Sequence, residues 1–354
     1  FMGLTELGGL VPELRSRGLL PAEEDFVPIM ERPLRILSTA TPHTSFLKIS
    51  EGCDHTCAFC AIPLMRGLHR SHPVEELVRE AAGLGEAGVK ELNIVSQDTT
   101  WYGRDLKRHD REAPLLPDLL TALLEGTDVP WYRLFYMYPS GMTRELVELI
   151  AREKRIVPYL DMPIQHGSDR ILQLMRRPER QETIRERVGW LRDAVPDLTL
   201  RTTVIVGFPG ETDEDFREML ELLEEVRFER VGAFTYSVEE GTRAAEMPGQ
   251  VDDDVMEERL EEVMELQRGI SFERNEEMLG REVEVLVDAQ VHDDPDFVAV
   301  GRTVGQAVDV DGVTHLRGSA APAPGTLLSA RIVEALDYDM VAELTHAAPG
   351  EGSS

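Results

Sequence analysis

The three cysteines of this chain, Cys53, Cys57 and Cys60, stand within eight positions of one another in the stretch EGCDHTCAFCAIP. An odd number of thiols does not form a disulfide framework, so this spacing indicates a metal centre. A structural zinc needs four ligands, and the side chains that could supply a fourth one here are His55, His69 and His72. An iron–sulfur cluster normally takes four cysteines. With three it keeps one iron without a protein ligand, and that open iron can bind a chelating substrate.

The elements that must position these thiols are six strand–helix units between residues 45 and 250. Alternating strands and helices of this kind predict a parallel sheet with right-handed crossovers. The pattern leaves a doubly wound sheet and a full or partial barrel open, although six units are fewer than the eight of a closed barrel. In each case the site is expected at the carboxyl ends of the strands, where the polar and glycine-rich residues of this chain occur.

Changes in composition and periodicity along the sequence predict five segments. Residues 1–44 form a proline-interrupted leader, 45–250 the repeating α/β domain, and 251–279 a long charged connecting helix. Short strands separated by turns then predict a small all-β domain over residues 280–345, a five-stranded barrel. Residues 346–354 form a flexible tail.

The net charge of −29 is strongly acidic. It gives a well-solvated surface, and it also favours a basic partner over a phosphate backbone. RNA binding would need a local basic patch. It is not expected from the β-domain, where residues 280–345 hold twelve Asp and Glu, four Arg and no Lys. No apolar run is long enough to span a membrane and no secretory signal is visible, so a cytoplasmic protein without a membrane partner is expected.

Several motifs in order carry a resemblance to a known family. The C-x3-C-x2-C loop after the first strand is followed by SQDTTWYG, YMYPSGMT, PYLDMPIQHGSDRIL, VGFPGETDEDF and FTYSVEEGT. Together they resemble the methylthiotransferase branch of the radical S-adenosylmethionine (radical SAM) superfamily. The resemblance covers about residues 34 to 345, and the terminal β-domain is similar to the TRAM domain of that branch. It implies a partial (β/α)6 radical SAM barrel followed by a small all-β barrel.

Within that branch, SQDTTWYG and YPSGM resemble the RimO type, which modifies an aspartate on a small-subunit ribosomal protein. The implied reaction adds a methylthio group to the β-carbon of that aspartate, with a basic ribosomal protein as substrate. Two alternatives stay open. The first is the group that modifies adenosine in transfer RNA, whose second-strand motif usually reads G-Q-N-V. The second is a zinc-stabilised, non-catalytic binding module.

The resemblance also implies the cofactors. Cys53, Cys57 and Cys60 would hold a [4Fe–4S] cluster as the catalytic centre, and its open iron would bind S-adenosylmethionine (SAM). A reducing electron donor is then required. Full-length members carry three more cysteines and a second [4Fe–4S] cluster in an N-terminal domain, and this sequence has no cysteine before Cys53. A second cluster is therefore expected only where such a domain is present.

The first candidate SAM contacts lie near the cysteines. The resemblance places Phe59 over the adenine, whereas packing in the core is the structural alternative. It places Ser96, Gln97 and Asp98 at the SAM amino group, whereas a strand-end turn with a helix cap would also explain them.

The remaining candidates follow later strands. Gln165 closes the fourth strand and could reach the ribose or satisfy buried backbone groups. Gly207 and Glu211 belong to GFPGE, where the resemblance places adenine recognition, although glycines at such turns are often purely structural. Tyr236 ends the sixth strand and could donate a hydrogen bond or simply pack.

Overall fold

The structure, a computed structural model, describes residues 41–345. The predicted tail over 346–354 and all but the last four residues of the predicted leader lie outside the described residues. Within the described residues, no helix combines the length and the apolar composition that crossing a bilayer requires.

Six parallel strands form the main sheet, and a short antiparallel pair follows the first of them. The strands in chain order are β1 (Thr44–Lys48), the pair β2 (Ser50–Glu51) and β3 (Arg70–Ser71), then β4 (Glu91–Val95), β5 (Trp131–Leu134), β6 (Ile156–Asp161), β7 (Thr199–Val206) and β8 (Arg230–Thr235). The spatial order is β1-β4-β5-β6-β7-β8, which is also the chain order. A doubly wound sheet reverses its order at a switch point, so this sheet is the partial (β/α)6 barrel and the predicted fold class is confirmed.

Helices cover one face of this sheet. They are α1 (Ile62–Arg66), α2 (Val74–Glu86), α3 (Leu116–Gly126), α4 (Arg144–Arg152), α5 (Asp169–Leu174), α6 (Gln181–Ala194) and α7 (Asp213–Val226). Strand β7 alternates strictly between buried and half-buried positions. Its buried set, Leu200, Thr202, Val204 and Val206, includes three apolar side chains that form the core of the domain. The period of two along the strand thus separates an apolar outer face from the inner face.

The inner face is polar. Parallel register places Asn93 beside Arg133 and Asp161 beside Arg201, so charged and amide side chains share this face across four strands. Charged side chains on a buried sheet face need opposite charges or hydrogen-bonding groups that pair with them.

A long helix, α8 (Asp253–Glu276), leads out of the sheet to a closed five-stranded barrel. The strands of the barrel are β9 (Glu282–Gln290), β10 (Ala299–Thr303), β11 (Thr314–Arg317), β12 (Leu327–Ala335) and β13 (Met340–Leu344). Its core holds Val285, Val287, Leu316 and Ile332. Gly301 lies at a bulge in β10, where a Cβ would stand 2.4 Å from the carbonyl oxygen of Leu286. The predicted small β-barrel is confirmed.

The barrel covers the amino half of the inner face through buried ion pairs. Arg302 of β10 donates to Glu91 at 2.6 Å and to Asp288 at 2.8 Å. Glu91 also accepts from Arg133 at 2.7 Å, and the side chains of Glu91, Arg133 and Arg302 are at most 2% exposed. Buried charges are tolerated only when they are paired, so this network fixes how the two domains meet.

Candidate active site

The loop that carries the cysteines follows β2 and has a backbone that other segments hold in place. The amide of Cys53 donates to the carbonyl of Gly67 at 3.1 Å. Gly52 has a φ of +78°, and a Cβ there would lie 2.3 Å from the carbonyl oxygen of Leu68. Only glycine fits such a position, so the folded chain determines the path of the loop into the cysteines.

All three cysteines line one cavity of about 310 Å³ at the carboxyl edge of the sheet. The other residues on its wall are His55, Ile62, Ser96, Gln97, Tyr136 and Tyr138. Cys53 is buried, while Cys57 and Cys60 are partly exposed to the cavity side of the loop. The structure therefore brings the three thiols together with two of the predicted SAM contacts, Ser96 and Gln97.

The thiols fit a polynuclear cluster better than a single metal ion. Among residues 41–345, no group of three His, Cys, Asp or Glu side chains is arranged to hold one ion. Each thiolate of an iron–sulfur cubane binds a different iron, so the sulfurs surround a volume and need not converge on one point. Two of the three candidate histidines are engaged elsewhere, since His55 pairs with Asp98 at 2.7 Å and His69 contacts the Ser71 hydroxyl at 3.2 Å.

Two polar atoms beside the thiols have no hydrogen-bond partner. Ser96 Oγ and Gln97 Oε1 are buried, and neither atom is within hydrogen-bonding distance of a described residue. Buried polar atoms in folded proteins nearly always have a partner. Both residues line the cysteine cavity, so their free capacity is what a polar ligand in that cavity would use.

The environment keeps two of the thiols protonated when no metal is bound. Burial is the largest of the effects that together raise the pKa of Cys53 to about 12; Cys57, Asp98 and Cys60 also raise it, and a backbone hydrogen bond from His55 lowers it. Burial also raises the pKa of Cys60. Because metals bind the thiolate, loading of this site must release protons.

Asp98 is fully engaged within the protein. One carboxylate oxygen accepts from the amide and the hydroxyl of Thr100, at 2.9 and 2.6 Å, and the other pairs with His55. Asp98 thereby caps the 3-10 turn Thr99–Trp101. The cap that the sequence left as an alternative is present, while a contact of Asp98 with SAM stays a prediction.

Phe59 and Tyr236 pack in the same apolar cluster. Phe59 lies half-buried against a cluster that contains Phe208, Met256 and Tyr236. The ring of Tyr236 meets that of Phe208 edge-on, with centroids 5.7 Å apart. Packing therefore accounts for Phe59 and for the ring of Tyr236, whose hydroxyl is buried without a hydrogen-bond partner among the described residues. The contacts of both residues with a cofactor stay predictions.

Gly207 and Glu211 form one structural unit. Glu211 accepts hydrogen bonds from the amides of Gly207 at 2.9 Å and Phe208 at 3.2 Å, and it pairs with Arg259 of α8 at 2.8 Å. Gly207 has a φ of +74°, and a Cβ there would lie 2.1 Å from Cγ of Met256. The glycine is thus required for the approach of α8, and neither residue lines the cysteine cavity.

Gln165 and Tyr136 have unusual backbones at the carboxyl edge. Their φ angles are +71° and +54°, which side-chain-bearing residues seldom adopt. The amide of Gln165 donates to the carbonyl of Thr203 at 2.9 Å, so its backbone extends the sheet beyond β6. Such conformations concentrate at functional sites.

The sequence did not single out Tyr138 or Arg177. The hydroxyl of Tyr138 lies 3.7 Å from Cys57 Sγ, and its ring is sandwiched between the ring of His55 and the guanidinium of Arg177. Arg177 is buried and also pairs with Glu179. Tyr138 stands in the motif YMYPSGMT, which is a usable signal, whereas nothing in the sequence marks Arg177 as a neighbour of the cysteine loop.

Comparison with known families agrees with this geometry. The profile of the radical SAM superfamily matches residues 47–223, and that of the TRAM domain matches residues 279–345. Coproporphyrinogen III oxidase (HemN) from Escherichia coli, a radical SAM enzyme of solved structure, superposes with a TM-score of 0.50 at 16% identity. The superposition covers 66% of this chain and 54% of that one, and it supports the fold alone. The chain is therefore a radical SAM protein with a TRAM domain.

Curated relatives narrow the class. The chain is 42% identical over 348 residues to the ribosomal protein uS12 methylthiotransferase RimO of Anaeromyxobacter sp. (strain K), which covers 98% of this chain and 72% of the relative. It is 44% identical to the RimO of Anaeromyxobacter sp. (strain Fw109-5), which covers 95% of this chain and 70% of the relative. The chain belongs to the RimO family of radical SAM methylthiotransferases.

Proposed function

We propose that this chain methylthiolates the β-carbon of an aspartate on ribosomal protein uS12, using a [4Fe–4S] cluster held by Cys53, Cys57 and Cys60 with one iron open for SAM. The names of the relatives give the substrate and the reaction. One observation carries the proposal for this chain: three thiols and two unpartnered polar atoms line a single cavity at the carboxyl edge of a partial barrel.

When bound, the cluster and SAM would supply the radical chemistry that removes a hydrogen atom from an unactivated carbon. The role of the protein itself is to bind the cluster and SAM and to shield the reaction from water. Ser96 and Gln97 offer hydrogen bonds to a polar ligand, and Tyr138 closes the wall beside Cys57. The contacts proposed for Phe59, Asp98, Gln165, Gly207, Glu211 and Tyr236 are supported by family resemblance, and for several of them packing is already a sufficient reason.

The charge of the β-barrel supports a basic protein substrate. Residues 280–345 carry twelve acidic side chains and four arginines, and one of those arginines, Arg302, is buried against the sheet. The side chains of Asp288 and Asp311 are also largely buried, so the exposed surface keeps an excess of acidic side chains. An acidic surface attracts a basic ribosomal protein and repels transfer RNA.

Further features of the proposal go beyond this cavity. The three cysteines account for one cluster, so a second cluster would need ligands from an additional cysteine-bearing domain. A reducing donor must supply electrons, and the cytoplasm is the proposed compartment because ribosomal proteins are the substrate.

The enzyme proposal is tested by anaerobic reconstitution with iron and sulfide, followed by reduction in the presence of SAM. We expect about four irons per chain by metal analysis and release of 5′-deoxyadenosine, which a Thr56→Ser control on the same loop retains. One zinc per chain and no iron would instead support the non-catalytic module. Gain of a methylthio group on an uS12 peptide, read by mass spectrometry, tests the full reaction.

The substrate proposal is tested by binding of uS12 and of transfer RNA to the full chain at two salt concentrations. Asp293→Asn/Asp296→Asn removes two exposed charges from the barrel, and Glu257→Gln/Glu261→Gln removes two exposed charges from α8 as a matched control. We expect only the barrel variant to weaken uS12 binding. Tight, salt-sensitive binding of transfer RNA would support the RNA-modifying alternative instead.

A further inference from the structure

A second cavity adjoins the cysteine cavity. Its volume is about 520 Å³, and His55 forms part of the wall of both cavities. The cysteine loop also contributes Asp54 and Thr56, and the rest of the lining comes from the loops after β4 and β5 and from the end of α5 to the start of α6, among them Trp101, Ser140 and Arg176. Ser96 and Gln97 do not line it, so it is distinct from the proposed SAM cavity.

This second cavity is basic in a strongly acidic chain. Four arginines line it, Arg104, Arg176, Arg177 and Arg180, together with two aspartates. The aspartates are already paired, Asp54 with Arg108 and Asp98 with His55. The neighbouring sequence extends the positive charge, because residues 101–111 hold four Arg and Lys against two Asp. Residues 173–180 hold three Arg against one Glu. In a chain with a net charge of −29, this is the local basic patch that an acidic partner would need.

Two of these guanidiniums are available to a partner. Arg104 and Arg176 are exposed, and within residues 41–345 neither has a carboxylate recorded within ion-pair distance. Arg104 lies over the ring of Trp101, 4.2 Å from its centroid. Arg176 has a φ of +60°, a backbone conformation that costs free energy and marks functional positions. The two residues come from different loops, so the patch is wider than a small anion requires.

An aromatic path joins this patch to the cysteine loop. The ring of Trp101 meets that of His55 edge-on at 4.8 Å, and His55 stacks on Tyr138 at 4.4 Å with an angle of 6° between the planes. The Tyr138 hydroxyl then lies 3.7 Å from Cys57 Sγ. Electron tunnelling weakens exponentially with distance, so a donor seated at this cavity would be close to whatever Cys57 binds.

We propose that the arginine-lined cavity is the docking site of a small, acidic iron–sulfur protein that delivers single electrons to the cluster on Cys53, Cys57 and Cys60. The proposal rests on the proposed function, because it needs that cluster. In each encounter one electron leaves the reduced iron–sulfur centre of the donor and enters the cluster of this chain. No bond forms or breaks, and no proton is transferred.

A phosphate backbone is the other partner that such a patch could attract. The position of the patch favours the electron donor, because it adjoins the cysteine loop and is linked to Cys57 through the rings of Trp101, His55 and Tyr138, which RNA binding would not require. The acidic surface elsewhere on the chain also repels an extended polyanion but leaves room for a compact one.

The test compares two double variants with identical changes in charge. Arg104→Glu/Arg176→Glu reverses the two exposed arginines of the patch, and Arg79→Glu/Arg331→Glu reverses two exposed arginines elsewhere. The cluster-loaded chain is mixed with a reduced acidic ferredoxin, and bleaching of the cluster is followed by stopped flow at low and high salt. Photoreduced deazariboflavin, which is small and uncharged, serves as the reductant that needs no docking site. Binding of the ferredoxin and binding of transfer RNA to the metal-free chain and its variants are measured separately.

We expect the patch variant to lose about tenfold or more in the ferredoxin reduction rate at low salt, since steering by opposite charge accounts for factors of roughly 10 to 10³. Ferredoxin binding should weaken in parallel. Reduction of the patch variant by deazariboflavin, and reduction of the control variant by ferredoxin, should proceed at the parent rate.

A patch variant reduced by ferredoxin at the parent rate would overturn the docking site and leave the proposed function intact. Failure of the parent to load a cluster would overturn the proposed function. Ferredoxin binding to the metal-free parent and patch variant would then still test the docking site. Loss of RNA binding in the patch variant with unchanged ferredoxin binding would overturn the proposal in favour of RNA.

Discussion

The two edges of the inner sheet face differ in how far their buried polar groups are paired. At the amino edge, Glu91 lies between Arg133 and Arg302, and every one of these charges has an opposite charge within 2.7 Å. At the carboxyl edge, Ser96 Oγ and Gln97 Oε1 are buried without a partner beside three free thiols. Both edges belong to the same strands, and β4 contributes to both.

This difference separates the part of the sheet that stabilises from the part that binds. Pairing across the domain boundary gives the charges of the amino edge one arrangement, in which Nη2 of Arg133 is the atom of this network that has no hydrogen-bond partner among the described residues. The carboxyl edge holds unpaired polar atoms and left-handed backbones at Tyr136 and Gln165, a combination that costs stability and is typical of functional sites. Substitutions at the two edges should therefore separate activity from stability.

The largest effect is expected from the cysteines. Replacing Cys53, Cys57 or Cys60 by Ala should reduce 5′-deoxyadenosine release to the level of a cluster-free blank, because two thiolates cannot hold a cubane with one open iron. Thermal unfolding of the metal-free chain should change little, since these thiols form no disulfide. A Cys57→Ala protein that cleaves SAM at the parent rate would contradict the site.

The next largest effect is expected at the amino edge. Arg302→Met should lower the free energy of unfolding by about 3 kcal/mol, because it leaves the buried Glu91 with Arg133 alone and Asp288 with His43 alone. Urea unfolding measures this loss, and Arg331→Met on the exposed side of the same barrel is the matched control. Equal stability of the two variants would show that the network does not fix the domain interface.

Acid should weaken the same edge. Burial by itself raises the pKa of Glu91, but Arg133 and Arg302 outweigh it and hold the pKa below its usual value. Burial likewise raises the pKa of Asp288, but His43 and Arg302 outweigh it, so this pKa is also below its usual value. A lowered pKa contributes stability above the unfolded values of about 4.3 for Glu and 3.9 for Asp, and that contribution is lost as the pH falls towards the folded values.

Urea midpoints between pH 7 and pH 3 therefore should fall more steeply for the parent than for Arg302→Met. Parallel curves would mean that other carboxylates dominate acid unfolding.

The smallest effect is expected from Gly207→Ala at the carboxyl edge. The free energy of unfolding should fall by about 1–3 kcal/mol, because alanine strains at a φ of +74° and its Cβ would displace Met256. SAM affinity of the cluster-loaded chain should stay within about twofold of the parent, a change below roughly 0.5 kcal/mol, because the added methyl faces α8. Calorimetric binding measures this affinity, and a fall in it without a change in stability would support the SAM contact proposed for Gly207.

Much of the fold was predictable because it depends on local periodicity. The strand–helix alternation predicted all six strands of the sheet, and short strands between turns predicted the terminal barrel. The choice between a doubly wound sheet and a partial barrel was not predictable, because the order of strands is a property of long-range pairing. It was decided by the spatial order β1-β4-β5-β6-β7-β8.

The site divides in the same way. Cys53, Cys57 and Cys60 were identified from the sequence because their ligand spacing is contained in one loop, and Ser96 and Gln97 because they end a neighbouring strand. Tertiary structure alone decided that Asp98 caps a turn, that Glu211 holds α8 through Arg259, and that Arg177 lies against Tyr138. Residues that act together within one loop or at one strand end can be predicted from their spacing along the chain. Contacts between distant segments depend on how the sheet closes and on which buried charges must find partners.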